Sequence, residues 1–124
     1  MKSVRIILAI TLLLLWTSIC FAENWEYMKN GVYLDLDSVQ KTQVDYNTII
    51  KCKTKHNAND GGYGLDNILI NIDNKTLCFQ LMVFYNSNGK ETLRLTHNPK
   101  NNDEWRPYED DDEIGAIVKR VQSL

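Results

Sequence analysis

The stretch Thr76-Leu-Cys-Phe-Gln-Leu-Met-Val-Phe-Tyr85 decides how the chain folds. Its odd positions, Leu77, Phe79, Leu81, Val83 and Tyr85, repeat at the period of two that a β-strand needs to present one apolar face. The even positions, Thr76, Cys78, Gln80, Met82 and Phe84, are mixed. A strand apolar on one face and half-apolar on the other belongs in the middle of a sheet, with partners on both edges.

The flanking sequence supplies those partners. Residues 24–28, with Trp25 and Tyr27, read as a short strand, and Asn30-Gly31 provides the positive-φ pair of a tight hairpin. Residues 32–36 return. Residues 37–40 look like one helical turn capped by Asp37. Residues 44–54 form a long strand, with Lys51, Lys53 and Lys55 together on a wet odd face. Asn57, Asn59, Asp60, Gly61, Gly62 and Gly64 crowd into a loop over 56–66, which places Tyr63 at a loop tip. Residues 65–73 and 91–96 are further strands.

The C-terminus is helical. Ile114, Ile117, Val118 and Val121 fall on one stripe at i, i+3, i+4 and i+7. Acids from Asp110 to Glu113 precede the stripe, and Lys119 and Arg120 lie near its end, as the helix dipole favours. The expected fold is α+β: an antiparallel sheet of about six strands with one C-terminal amphipathic helix packed on a face. The helix should cover the face carrying Ile50, Ile68, Ile70, Phe79, Leu81, Val83, Leu93 and Leu95.

One short helix covers one face only. The expected second face, with Ile49, Leu69, Met82 and Phe84, is then a candidate partner surface, and Tyr63 is a second contact point. The partner would be a protein or a second copy of the chain, giving a homodimer. Alternatively, the sheet curls, or the 97–107 connection folds over that face with Trp105 as its lid.

Residues 1–22 read as a signal peptide: Lys2 and Arg5, an apolar run from Ile6 to Trp16, and small residues around a cut after Ala22. The run is too short for a membrane span. Lipidation at Cys20 is disfavoured, because Ile19 stands where processing needs a small residue. The domain is then 23–124, exported to the periplasm or the cell surface. Without Lys2 and Arg5 the 14 basic residues become 12 against 16 acidic, a net charge of −4. That acidity argues against a nucleic-acid ligand. Cys52 and Cys78 remain. An oxidising compartment favours a disulfide between them. Strand parity opposes it, because the two fall on opposite faces. The sequence leaves both outcomes open.

Catalytic signatures are lacking. Ser38, Ser87 and Ser123 sit in a bend, a turn and the C-terminal tail, none in a nucleophile elbow. Cys52 and His56 are four residues apart on a strand and its exit, too far to pair. Two isolated histidines make no zinc site, and the 57–61 segment lacks calcium-loop spacing. The expectation is a non-enzyme without cofactor or metal. The aromatics Trp25, Tyr27, Tyr33, Tyr63, Trp105 and Tyr108 look dispersed rather than interleaved with basic residues.

The order of features resembles the surface-adhesin protein E family. It runs through Trp25-x-Tyr27, Val32-Tyr33-Leu34-Asp35 with Ser38-Val39, a long strand and a glycine-rich loop. Ile72-Asp73-Asn74-Lys75, Tyr85-x-x-x-Gly89-Lys90 and Trp105-x-Pro107 before a short helix complete it. The resemblance covers nearly all of 24–123. It implies a small exported Gram-negative domain with a six-stranded antiparallel sheet and a helix, and no catalysis. In the namesake it implies binding of host matrix and serum proteins. Relatives often carry a cysteine where this chain has Asn74 and another near the C-terminus, so the disulfide implied for them has no counterpart here. The namesake is also lipidated, unlike the expectation for Ile19-Cys20.

Overall fold

The computed structural model describes residues 23–124. The proposed leader and its cleavage site, with Cys20 and Ala22, lie outside the described residues. Eight strands form one antiparallel sheet, more than the six expected. They are β1 (Trp25–Lys29), β2 (Val32–Asp35), β3 (Gln40–Val44), β4 (Asn47–Asn57), β5 (Tyr63–Asn71), β6 (Thr76–Tyr85), β7 (Glu91–Thr96) and β8 (Arg106–Pro107). The helix α1 (Glu113–Gln122) follows. The main path is β1-β2-β4-β5-β6-β7, with β3 added to β4 and β8 to β6. β6 therefore holds the interior position its composition predicted.

The two extra strands are short additions along shared edges. β4 is long enough to carry β3 opposite residues 47–51 and β2 opposite 54–56. β3 carries no period-two apolar pattern, because Gln40-Lys-Thr-Gln43 is polar and every residue of the strand is exposed. Its turn is Asp45-Tyr46, whose φ of 49° and 68° places both residues in the left-handed region without a glycine. The 37–40 segment is a 3-10 turn over Leu36–Ser38, and Asp35 caps it rather than Asp37. Asp35 Oδ1 accepts from the N–H groups of Asn24 and Asp37, both at 3.1 Å.

The central strand does not alternate without interruption. Asn67 faces Leu81, but Ile68 faces Phe79, so Gln80 is an extra residue in β6. That bulge exchanges the faces halfway along. Leu77 and Phe79 lie over Ile70 and Ile68, whereas Met82 and Phe84 lie over Asp66 and Gly64 on that same face. Leu81, Val83 and Tyr85 pass to the opposite face with Asn67, Leu65 and Tyr63. The expected helix-facing set is corrected accordingly: Leu81 and Val83 are not in it.

The core sits between α1 and the sheet. Leu34, Ile50, Cys52, Ile68, Ile70 and Leu77 from the strands meet Ile117, Val118 and Val121 from the helix. Full burial of each aliphatic side chain stabilises the fold by about 1.5–3 kcal/mol. Asp112 caps α1, with Oδ1 accepting from Gly115 N–H at 2.9 Å and Oδ2 from Glu109 N–H at 2.8 Å. Gly115 lies so close to the preceding turn that a Cβ there would stand 2.2 Å from the Asp110 carbonyl oxygen. Polar ties fasten the helix to the first hairpin. Arg120 Nε donates to Glu26 Oε2 at 2.6 Å, Asn30 Nδ2 donates to Glu113 Oε1 at 2.8 Å, and Lys29 Nζ donates to the Asp111 carbonyl.

Candidate functional site

The helix occupies one face. On the opposite face Cys78 and Val83 are buried, and Trp25 of β1 lines the same recess as Leu81 of β6 and Arg94 of β7, so the sheet curls and that face is open only in part. Side chains there form cross-strand rows, set by the register. One row runs Tyr27, Tyr33, Lys55, Leu65, Val83, Arg94 across six strands. The next runs Asn57, Tyr63, Tyr85, Glu91. Opposed side chains in such rows touch, and aromatic pairs add about 0.2–1 kcal/mol each.

The contacts bear this out. The Tyr27 and Tyr33 rings meet edge to face at 5.4 Å. Lys55 Nζ lies 5.1 Å from the centre of the Tyr63 ring, within cation–π range. Tyr63 stacks on Tyr85 at 4.9 Å with 17° between planes. Arg94 closes the row, bound to Glu91 Oε1 through Nε at 3.0 Å and Nη2 at 2.6 Å. Aromatic and basic residues that look scattered in sequence are thus interleaved in space. Tyr63 is not at a loop tip: it opens β5, and the glycine-rich loop spans only residues 58–62.

Two recesses adjoin this ladder and share Trp25 as a wall. One, of about 200 Å³, is lined by Leu65, Leu81 and Val83 together with Trp25, Tyr85, Lys53 and Arg94. The other, of about 210 Å³, lies among Trp25, Tyr33, Lys55 and Asn57. The Trp25 indole N–H donates to Glu23 Oε2 at 2.8 Å. At the far end of the same face Trp105 and Pro99 come down beside Ile49, Asn71 and Thr76. The 97–105 connection therefore does overlie part of the face, with Trp105 anchored by its indole N–H on the Pro99 carbonyl at 2.8 Å.

The expected surface of Ile49, Leu69, Met82 and Phe84 is not one surface. Ile49 and Leu69 belong to the open face, at its Trp105 end. The Gln80 bulge sends Met82 and Phe84 to the helix side, beyond the end of the core, where they stand beside Leu95 and Leu93. Leu93 and Leu95 are 49% and 41% exposed.

On that helix side lies the one ion pair with a buried partner among the described residues. His56 Nδ1 is 3.2 Å from Asp66 Oδ2, and Asp66 is only 5% exposed. Thr54 Oγ1 donates to the same oxygen at 3.4 Å. Asp66 Oδ1 has no hydrogen-bond partner among the described residues. The His56 ring meets Phe84 edge to face at 5.7 Å. The Asp66 hydrogen bond raises the His56 pKa above its ordinary 6.5, against the lowering effect of partial burial.

Cys52 and Cys78 are both buried free thiols. Cys52 faces the helix, opposite Ile68, and Cys78 lies over Leu69 on the open face, with β5 between them. Two strand spacings, about 9.5 Å, exceed the Cα separation a disulfide allows. Burial, aided by the nearby Asp35 charge, pushes the Cys52 thiol up to about 12, far from a reactive thiolate. Cys52 and His56 share a face two positions apart along it, with Thr54 between them. Among the described residues no group of three or more potential ligands could hold a metal ion. Nor is any helix there long and apolar enough to cross a membrane. No protein-family model, curated protein or solved structure matches the chain.

Proposed function

We propose that the chain is an exported, non-enzymatic binding domain that holds a protein ligand on its open sheet face. The observation that carries this reading is the half-exposed ladder Tyr27, Tyr33, Lys55, Tyr63, Tyr85. Tyrosine anchors rigid enough to lose little entropy, set around apolar recesses, are the composition of protein-binding surfaces. The leader-like first 22 residues and the resemblance to the surface-adhesin protein E family point in the same direction. The test is site-specific photocrosslinking of the full chain in bacterial cells, with a benzophenone amino acid replacing Tyr33 or, as a control on the helix, Lys119. A protein adduct from Tyr33 that Lys119 does not form is expected. Equal labelling from both positions would overturn the assignment of the face.

A second reading, a periplasmic structural or assembly factor working as a dimer, rests on β7. It ends the sheet, all six of its residues are exposed, and Leu93 and Leu95 stand beside Met82 and Phe84. An unpaired edge strand with apolar neighbours is a template for pairing with another chain. Light scattering of wild type against Leu93→Glu separates the two: a dimer that becomes a folded monomer would favour assembly.

A further inference from the structure

The open face carries a feature that aromatic anchoring leaves unexplained. Lys51, Lys53 and Lys55 project from it at successive alternate positions of β4. None has a carboxylate within 4 Å among the described residues; most Lys and Arg side chains there are likewise unpaired, Lys75, Arg94 and Arg120 being the ion-paired ones, but these three stand together on one face of one strand. Of the acids beside them, Asp35 is buried and engaged by two backbone N–H groups, and Glu23, which lines the recess with Lys53, accepts from the Trp25 indole N–H. Three unpaired cations thus share one strand in a chain whose net charge is −2.

Their spacing is as informative as their sign. Alternate residues of a strand stand about 6.6–6.8 Å apart. Any extended peptide presents its own alternate side chains at that same repeat, so one lying along β4 meets the lysines in step. The floor beside them is partly apolar: Lys51 lies across from Leu69 and Lys55 across from Leu65. A ligand seated there would exclude water and strengthen each charge contact. Tyr33 borders the Lys55 end, opposite it in register, and Tyr63 lies under its ammonium group. We infer that the ligand recognised by this face is an acidic, extended polypeptide segment aligned with β4, with carboxylates at alternate positions meeting Lys51, Lys53 and Lys55.

This inference rests on the binding-domain reading above and names the chemistry of its ligand. The test uses the full chain and two synthetic peptides of identical composition, one alternating glutamate and threonine, the other with its glutamates in one block. Fluorescence anisotropy should show the alternating peptide binding about tenfold more tightly, from three charge contacts of modest strength. Lys53→Glu should abolish that preference, and Lys53→Gln should weaken it with circular dichroism unchanged. Equal binding of both peptides, or a preference that survives Lys53→Glu, would overturn the inference. So would binding of dextran sulfate with neither peptide bound, which would assign the face to an anionic polysaccharide. If no peptide binds but crosslinking from Tyr33 still captures a protein, only the acidic-segment inference fails and the binding face stands.

Discussion

The His56 imidazole folds back over Gly64, so that its Nδ1 stands 3.2 Å from Asp66 Oδ2 while its ring edge meets Phe84. The two residues sit at adjoining positions of the β4–β5 register, Thr54 opposite Asp66 and His56 opposite Gly64. Asp66 is nearly inaccessible and needs a donor, because a buried carboxylate without one costs several kcal/mol.

The pair predicts a pH dependence. The His56 pKa is raised in the folded protein, so its contribution to stability is fully present below the ordinary 6.5 and is lost as pH rises through the folded value. Unfolding free energies of wild type and His56→Gln should differ most at acidic pH and converge in the alkaline range. Nuclear magnetic resonance titration should place His56 above 6.5; a value below it would contradict the pairing.

Gly64→Ala should disrupt the same pair. A Cβ at Gly64 would lie 2.2 Å from His56 Cε1, and the ring can yield only by swinging away from Asp66. The His56 titration should move back toward 6.5, with a loss of about 1–3 kcal/mol in urea denaturation from the broken charged hydrogen bond. An unchanged titration would mean that the ring keeps its place.

Gly115→Ala offers a test of opposite intuition. In an open helix the change gains about 1 kcal/mol. Here the new Cβ would stand 2.2 Å from the Asp110 carbonyl oxygen, which is backbone and cannot step aside cheaply. Destabilisation of about 1–3 kcal/mol is expected. Increased thermal stability would show that the 109–112 turn does not press on the helix.

Alkylation at pH 8 followed by peptide mapping should leave Cys52 and Cys78 unmodified in the native protein and label both after denaturation. Both are buried, and burial pushes the Cys52 thiol up to about 12. Recovery of a peptide pair joined through Cys52 and Cys78 would require one strand to turn over, since the sheet separates them.

Local pattern by itself determined the main strands of the sheet and where the helix forms. Alternation marked β4, β5, β6 and β7, Asn30-Gly31 marked the first hairpin, and the Ile114–Val121 stripe marked the helix, because burying one face imposes the period of the element on its own sequence. The wet lysine face of β4 was legible for the same reason. Polar β3 carries no such imprint, and its Asp45-Tyr46 turn reaches positive φ without the usual glycine. Only the tertiary structure decided which faces coincide. One inserted residue, Gln80, reverses side-chain parity without leaving a mark in composition, and it moved Met82 and Phe84 away from Ile49 and Leu69. The aromatic and cationic ladder depends on registers between strands whose paired residues lie up to 22 positions apart, as Tyr33 and Lys55 or Tyr63 and Tyr85 do. Such juxtapositions arise from pairing across the sheet, and no window along the chain contains them.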